Sequence, residues 1–347
     1  MEDSVRNLLN TLYLNTPDRY LRREGETIVI EEADKHIAQI PVHNMEGLVL
    51  FGPATITPAL IALCNERNIH ISFLSPTGRF LTRIQSPISG NVKLRRSQYR
   101  KADHNSKSLE VAQNFCLGKL FNCRNVLQRL VRDHETVIEM TAVNRVIGQL
   151  RYSIGKIGDA SDYRMLLGIE GEATKNYYSV FNELIINKES GFVFRGRSRR
   201  PPMDEVNGLL SFFYTLLAHE VEAALETVGL DPQVGFYHQE RPGRAALALD
   251  MMEELRPYMV DRFVLSLINN RQVKLSDFER RENGATLISR DVRSILVQKW
   301  QERKQDVVTH PYLKEKIEVG LIPYSQALLM ARFIRDDLDG YPPFLMR

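Results

Sequence analysis

The sequence predicts an α+β protein: a small N-terminal β-rich domain followed by a larger all-α domain. Three observations carry that reading. Before residue 86 the apolar residues come in short β-branched runs separated by turn signals. Residues 86–104 break the pattern with Pro87, Gly90 and Asn91, then with a cluster of basic residues. From residue 105 onward the apolar spacing is three and four almost throughout, the period of a helix.

In chain order, TIVIEE (27–32), HIAQIPV (36–42), GLVLFG (47–52) and IHISFLS (69–75) read as strands. REGE (23–26) and SPTGR (75–79) read as turns. TPALIALCNERN (57–68) is a helix among them, with Pro58 near its start, where a missing N–H costs nothing. The domains are then 1–92, β-rich; 93–104, a basic linker with Lys93, Arg95, Arg96, Arg100 and Lys101; and 105–347, helical. Within the last, LEVAQNFCLGKLFNCRNVLQRLV (109–131) and VDRFVLSLINNRQV (260–273) have helical spacing. In SDYRMLLGIEGEATKNYYSVFNELI (161–185), Leu166, Ile169, Ala173, Tyr177, Val180 and Leu184 form a buried stripe. A helix over 207–228 ends at Gly229, and LALDMMEELRP (247–257) stops at Pro257.

The 347 residues suffice for two domains of ordinary size. A net charge of +3 announces no nucleic-acid partner by itself, so the placement of charges matters more than their sum. Cys64, Cys116 and Cys123 form no CxxC, which argues against a disulfide framework or a zinc knuckle and fits a reducing cytoplasm. MEDSVRNLLN lacks the apolar core of a signal peptide. GLLSFFYTLLA (208–218) is too short to span a bilayer and reads as a buried helix.

Three pieces carry candidate chemistry. Glu170 lies between Gly168 and Gly171, each costing a helix about 1 kcal/mol relative to alanine. Either something approaches that backbone closely, or the glycines only serve packing. His238 sits in a Gly/Pro-flanked loop, as a functional or a structural histidine. Asp250, Glu253 and Glu254 share a helix at spacings where like charges repel, which calls for a counter-ion such as Arg256 or a metal, unless the face is merely solvated. A sharper reading joins Glu170, His238 and Glu253. Two carboxylates and one imidazole suit Mn²⁺ or Mg²⁺; zinc fits the same donors, but no HExxH supports it. RGRSRRPP (195–202) carries Arg195, Arg197, Arg199 and Arg200. With residues 93–101, Arg241, Arg244 and Arg256 they would line a phosphate track, or else form a solvated loop.

The segments LLGIEG, DEVNGLLSFFYTLL, GFYHQERPGRAALALDMMEELRP and RRENGATLISR occur in order. With IPVHNMEGLVLFG, ISFLSPTGRFLTRI and GNVKLRRSQYR, the chain resembles the CRISPR-associated adaptation integrase family over essentially its whole length. That family inserts new spacers and is also described as a metal-dependent DNA endonuclease. The resemblance implies a β-rich dimerisation domain and a helical catalytic domain. It implies Mn²⁺ or Mg²⁺ on Glu170, His238 and Glu253, with Asp250 a further catalytic acid. It implies Arg241 and Arg256 towards DNA, and it matches Asn207 without giving it a role. The implied reaction is transesterification, in which a 3′-hydroxyl of short duplex DNA attacks a phosphodiester at a CRISPR repeat. The implied assembly is a homodimer with a small ferredoxin-like partner, and an iron–sulfur CRISPR nuclease in related systems. A branched-DNA repair nuclease and a non-enzymatic DNA-binding scaffold are the competing readings.

Overall fold

Alternating apolar residues in the first part of the chain make two four-stranded sheets. The computed structural model describes residues 10–14, 18–33, 35–43, 45–67, 69–74, 80–84, 92–133 and 140–346. The strands are β1 (Asn10–Leu14), β2 (Arg19–Glu24), β3 (Thr27–Glu32), β4 (Lys35–Pro41), β5 (Met45–Phe51), β6 (Ala54–Ile56), β7 (His70–Leu74) and β8 (Phe80–Ile84). One sheet has the order β1-β5-β7-β8, the other β4-β3-β2-β6. β2 and β3 form a hairpin with Glu24 opposite Thr27, and its turn uses Gly25 at φ +59, where only glycine is at ease. Helix α1 (Pro58–Glu66) begins at Thr57, whose hydroxyl accepts the Leu60 N–H. Leu21, Ile28, Leu48, Leu50, Leu60 and Ile71 fill the core, each worth about 1.5–3 kcal/mol on burial. The turn expected at 75–79 and the break at Pro87–Asn91 lie outside the described residues.

The chain divides into two compact units. The first holds residues 1–90 together with 289–307 and 318–321; the second holds 91–288, 308–317 and 322–347. Helix α9, described below, therefore groups with the first unit, which a single linear boundary does not capture.

The second unit is built on helices α2 (Val92–Asp103), α3 (Asn105–Asp133), α4 (Met140–Lys156), α5 (Tyr163–Ser179), α6 (Glu205–Val228), α7 (Ala246–Leu255) and α8 (Arg262–Asn269). The hairpin β9 (Phe278–Arg280)–β10 (Thr286–Ile288) follows; after α9 (Arg290–Lys304), which belongs to the first unit, the chain runs through β11 (Val307–Thr309), β12 (Lys316–Glu318) and α10 (Ile322–Ile334). Its α3 packs on α4, α5 and α7, and α6 packs on α7 and α10.

Three expectations change. The second unit is helical but not all-α, because β9 and β10 pair across a turn at Gly284, φ +79. Three-residue strands are too short for alternation to reveal. The expected basic linker over 93–104 is helical: almost all of it belongs to α2, which buries Leu94, Gln98 and Lys101 and exposes Lys93, Arg96 and Arg100 along one stripe. Pro257 does not stop its helix. A π turn over Arg256–Asp261 carries α7 into α8, and the Arg262 N–H donates to Pro257 O, five residues back. The wider turn accommodates a ring that would clash with the carbonyl four residues earlier. Among the described residues, no helix is long and apolar enough to cross a membrane.

Candidate active site

Helix α7 carries three acids that point three ways. All three are buried, so the face is not a solvated one. Asp250 turns to the loop before the helix. Its Oδ2 accepts the N–H groups of Phe236 at 2.6 Å and Tyr237 at 2.9 Å. Its Oδ1 accepts the His238 N–H at 2.7 Å and faces His238 Nδ1 at 2.7 Å. Gly235 makes this wrap possible, since a Cβ there would lie 2.6 Å from Asp250 Oδ2. A carboxylate on Nδ1 fixes the ring and turns Nε2 outward, as seen behind metal-bound histidines.

Glu253 turns towards α3 and α5. Its Oε2 lies 2.8 Å from Lys119 Nζ, its Oε1 pairs with Arg256, and His238 Nε2 faces Oε1 at 3.9 Å. Burial works against its charge, but Arg256, Lys119 and His238 together hold the carboxyl down to about 2. Glu170 reaches the same place from α5. Its Oε1 pairs with Lys119 and accepts Thr174 Oγ1 at 2.8 Å, and Tyr237 OH donates to its Oε2 at 3.4 Å. Glu254 points the opposite way, into a buried network. It accepts hydrogen bonds from Tyr341 OH at 2.5 Å, Gln326 Nε2 at 2.8 Å and the Phe344 N–H at 2.9 Å. Burial outweighs these bonds and pushes its carboxyl up to about 7.

Lys119 is the residue that sequence reasoning misses. It lies in LGKLF, a lysine inside an apolar stripe, which reads as a side chain reaching out to solvent. Instead it is buried between Glu170 and Glu253. Burial disfavours its charge, yet Glu253 and Glu170 hold its pKa above the usual lysine value. As the side chains stand, no three His, Cys, Asp or Glu groups among the described residues are close enough to hold an ion. The donor set still fits one. Two carboxylates and an outward Nε2 converge, and a cation already sits between the carboxylates.

Of the two readings of the glycines beside Glu170, the packing one finds no support among the described residues. A Cβ at Gly168 or Gly171 would meet nothing within 4 Å, so no protein atom requires them.

The expected DNA contacts separate into two groups. Arg195, Arg199, Arg200 and Arg241 are exposed. Arg197 and Arg256 turn inward. Arg197 donates to Asn207 Oδ1 at 2.7 Å and stacks 5.2 Å from the Tyr214 ring; Arg256 pairs with Glu253 and lies 5.0 Å from the same ring. Asn207 gains a role here. Buried, it also accepts the Ser198 N–H at 3.0 Å and donates to Gly196 O at 2.7 Å, pinning the arginine loop. Tyr214 in turn donates to Asp261, as does Tyr177 at 3.0 Å. Burial pushes Asp261 up to about 6 against those bonds.

Fold and cluster define a class: a β-rich unit joined to a helical unit that buries carboxylates around one imidazole, an arrangement suited to phosphoryl chemistry. The family model described as CRISPR associated protein Cas1 matches residues 12–302. The "CRISPR-associated endonuclease Cas1 1" of Chlorobaculum tepidum is 45% identical over 98% of this chain and 99% of its own. A Geobacter sulfurreducens protein named "CRISPR-associated exonuclease Cas4/endonuclease Cas1 fusion" is 36% identical over 97% of this chain and 60% of its own. A solved casposase bound to integration product shares the fold, with TM-score 0.83 and 22% identity over 97% of this chain and 94% of that one. The chain belongs to the Cas1 family.

Proposed function

We propose that this chain is a metal-dependent DNA integrase and endonuclease of CRISPR adaptation. It joins the 3′-hydroxyl ends of short duplex DNA, the new spacers, to phosphodiesters at the CRISPR repeat by transesterification. The observation that carries this reading is the convergence of Glu170, His238 and Glu253 from three separate elements in a member of the Cas1 family. Relatives named as Cas1 endonucleases support the nuclease part.

Glu170, Glu253 and His238 Nε2 would hold Mn²⁺ or Mg²⁺. Bound there, the ion supplies Lewis-acid polarisation of a phosphoryl oxygen and a lower pKa for the attacking hydroxyl. The protein's own residues prepare the place. Asp250 sets the His238 ring so that Nε2 serves as a ligand and not as a general base. Arg256 and Lys119 keep Glu253 ionised. Arg195, Arg199, Arg200, Arg241 and the α2 stripe of Lys93, Arg96 and Arg100 offer cations to DNA phosphates. The chain works in the cytoplasm as a homodimer with a small ferredoxin-like partner. An iron–sulfur CRISPR nuclease is a further partner; the relative named as an exonuclease Cas4/endonuclease Cas1 fusion supports association with a nuclease.

The test is a strand-transfer assay with the purified chain, its small partner, a short duplex and a supercoiled plasmid bearing a CRISPR repeat. Covalent joining that needs Mn²⁺ or Mg²⁺ and disappears in His238→Ala is the expected result. Nicking without joining would reduce the reading to a nuclease. Full activity in Glu170→Ala would end it.

A further inference from the structure

We propose that Lys119 is the resident cation of this site and that a divalent ion loads by taking its place between Glu170 and Glu253. The proposal rests on the metal-dependent reading above. The Lys119 ammonium pairs with Glu170 Oε1 and lies 2.8 Å from Glu253 Oε2, and its side chain is only 11% exposed. It is brought there by a close approach of helices. A Cβ on the preceding Gly118 would lie 2.8 Å from Glu254 Cβ, so glycine lets α3 settle on α7 at this level. Lys119 therefore reaches the acids from a tight helix contact and not from a loose surface.

Charge decides which group yields. Three carboxylates, Glu170, Asp250 and Glu253, and two cations, Lys119 and Arg256, lie in ion-pair contact around the His238 ring. A divalent ion entering beside both cations would raise the charge of a buried cluster by two; entering in place of Lys119, it raises it by one. Arg256 is also anchored on the Tyr214 ring. The polar contacts that the described residues give Lys119 Nζ are the two acids alone. Lys119 is thus the cation free to withdraw. Until the ion arrives, Lys119 and Arg256 together balance Glu170 and Glu253.

Calorimetric titration of Mn²⁺ into the full-length wild type, Lys119→Met and Lys119→Gln tests the exchange. Both variants are expected to bind Mn²⁺ at least about ten-fold more tightly. In the wild type the ion must first break the pairing of the ammonium with both acids, and one unit-charge pair at roughly 4 Å is worth more than that even at an effective dielectric near 20. In EDTA, Lys119→Met is expected to melt below the wild type, with Mn²⁺ closing the gap. If the Met variant does not fold, Lys119→Gln, which can donate to both acids, decides. Equal or weaker Mn²⁺ binding by a folded variant overturns the exchange and leaves the metal site standing. Absence of Mn²⁺ and Mg²⁺ binding in all three proteins overturns both readings together.

Discussion

Asp250 holds His238 twice through one oxygen: Oδ1 lies 2.7 Å from the ring Nδ1 and 2.7 Å from the backbone N of the same residue. One carboxylate thereby sets both the ring and the loop that bears it. Asp250→Asn keeps the volume but replaces an anionic acceptor with a neutral amide. Metal affinity is expected to fall by roughly 10- to 100-fold, the usual cost of losing the carboxylate behind a ligating histidine. Calorimetry with Mn²⁺ measures it, and circular dichroism checks that the helices remain.

Gly235 and Gly168 should respond to alanine in opposite directions. At Gly235 the new Cβ meets Asp250 Oδ2 at 2.6 Å and Ala246 C at 2.9 Å. Neither can retreat from a packed position, so a loss of about 1–3 kcal/mol is expected. At Gly168, within α5, the Cβ meets nothing, and the variant should gain up to about 1 kcal/mol of helix stability. Urea unfolding of the two variants reads both changes.

Arginines that look alike in the sequence should separate by experiment. Arg197→Ala removes one of the two donors to Asn207 Oδ1, the donor to Ser211 Oγ and one of the two guanidinium groups over the Tyr214 ring, so about 1–3 kcal/mol of stability should be lost. Arg199→Ala, on the exposed part of the loop, should leave stability within about 0.5 kcal/mol. It should instead lower the salt dependence of duplex binding by close to one phosphate contact, a slope change of about 0.9. Thermal unfolding and salt-titrated fluorescence anisotropy provide the two readouts.

The buried His310 makes the helical unit sensitive to acid. Its Nδ1 accepts the N–H groups of Tyr312 at 3.3 Å and Leu313 at 3.2 Å, and its Nε2 lies 3.1 Å from Gln326 Oε1. Burial lowers its pKa from 6.5 to about 4. The unfolded chain therefore takes up the proton first. The stability held by the neutral ring is complete above pH 6.5 and is lost as pH falls through 4. His310→Gln should flatten stability across that window, as measured by urea unfolding at stepped pH.

Much of this architecture was legible because its signals are local. Asp204 accepting the Asn207 N–H and Gly229 at φ +90 bound α6 much as the residue types predict. Lys119 pairs with Glu170 and with Glu253, and His238 Nε2 faces Glu253 at 3.9 Å. What was hidden depends on contacts between distant segments. Lys119 looks like any lysine in a stripe until α5 and α7 bring it two acids. Arg197 and Arg256 look like phosphate contacts until both face Tyr214. Pro257 signals a helix end in isolation; packing of the surrounding buried residues carries the chain past it through a π turn. The functional meaning of Gly118 and Gly235 likewise appears only once Glu254 and Asp250 stand opposite them.

The most direct measurement is anomalous diffraction from crystals of the full chain grown with Mn²⁺. One strong manganese peak bounded by Glu170, Glu253 and His238 Nε2, with the Lys119 ammonium displaced from between the two acids, is the expected result. A manganese peak elsewhere, with Lys119 still bridging Glu170 and Glu253, would contradict the account.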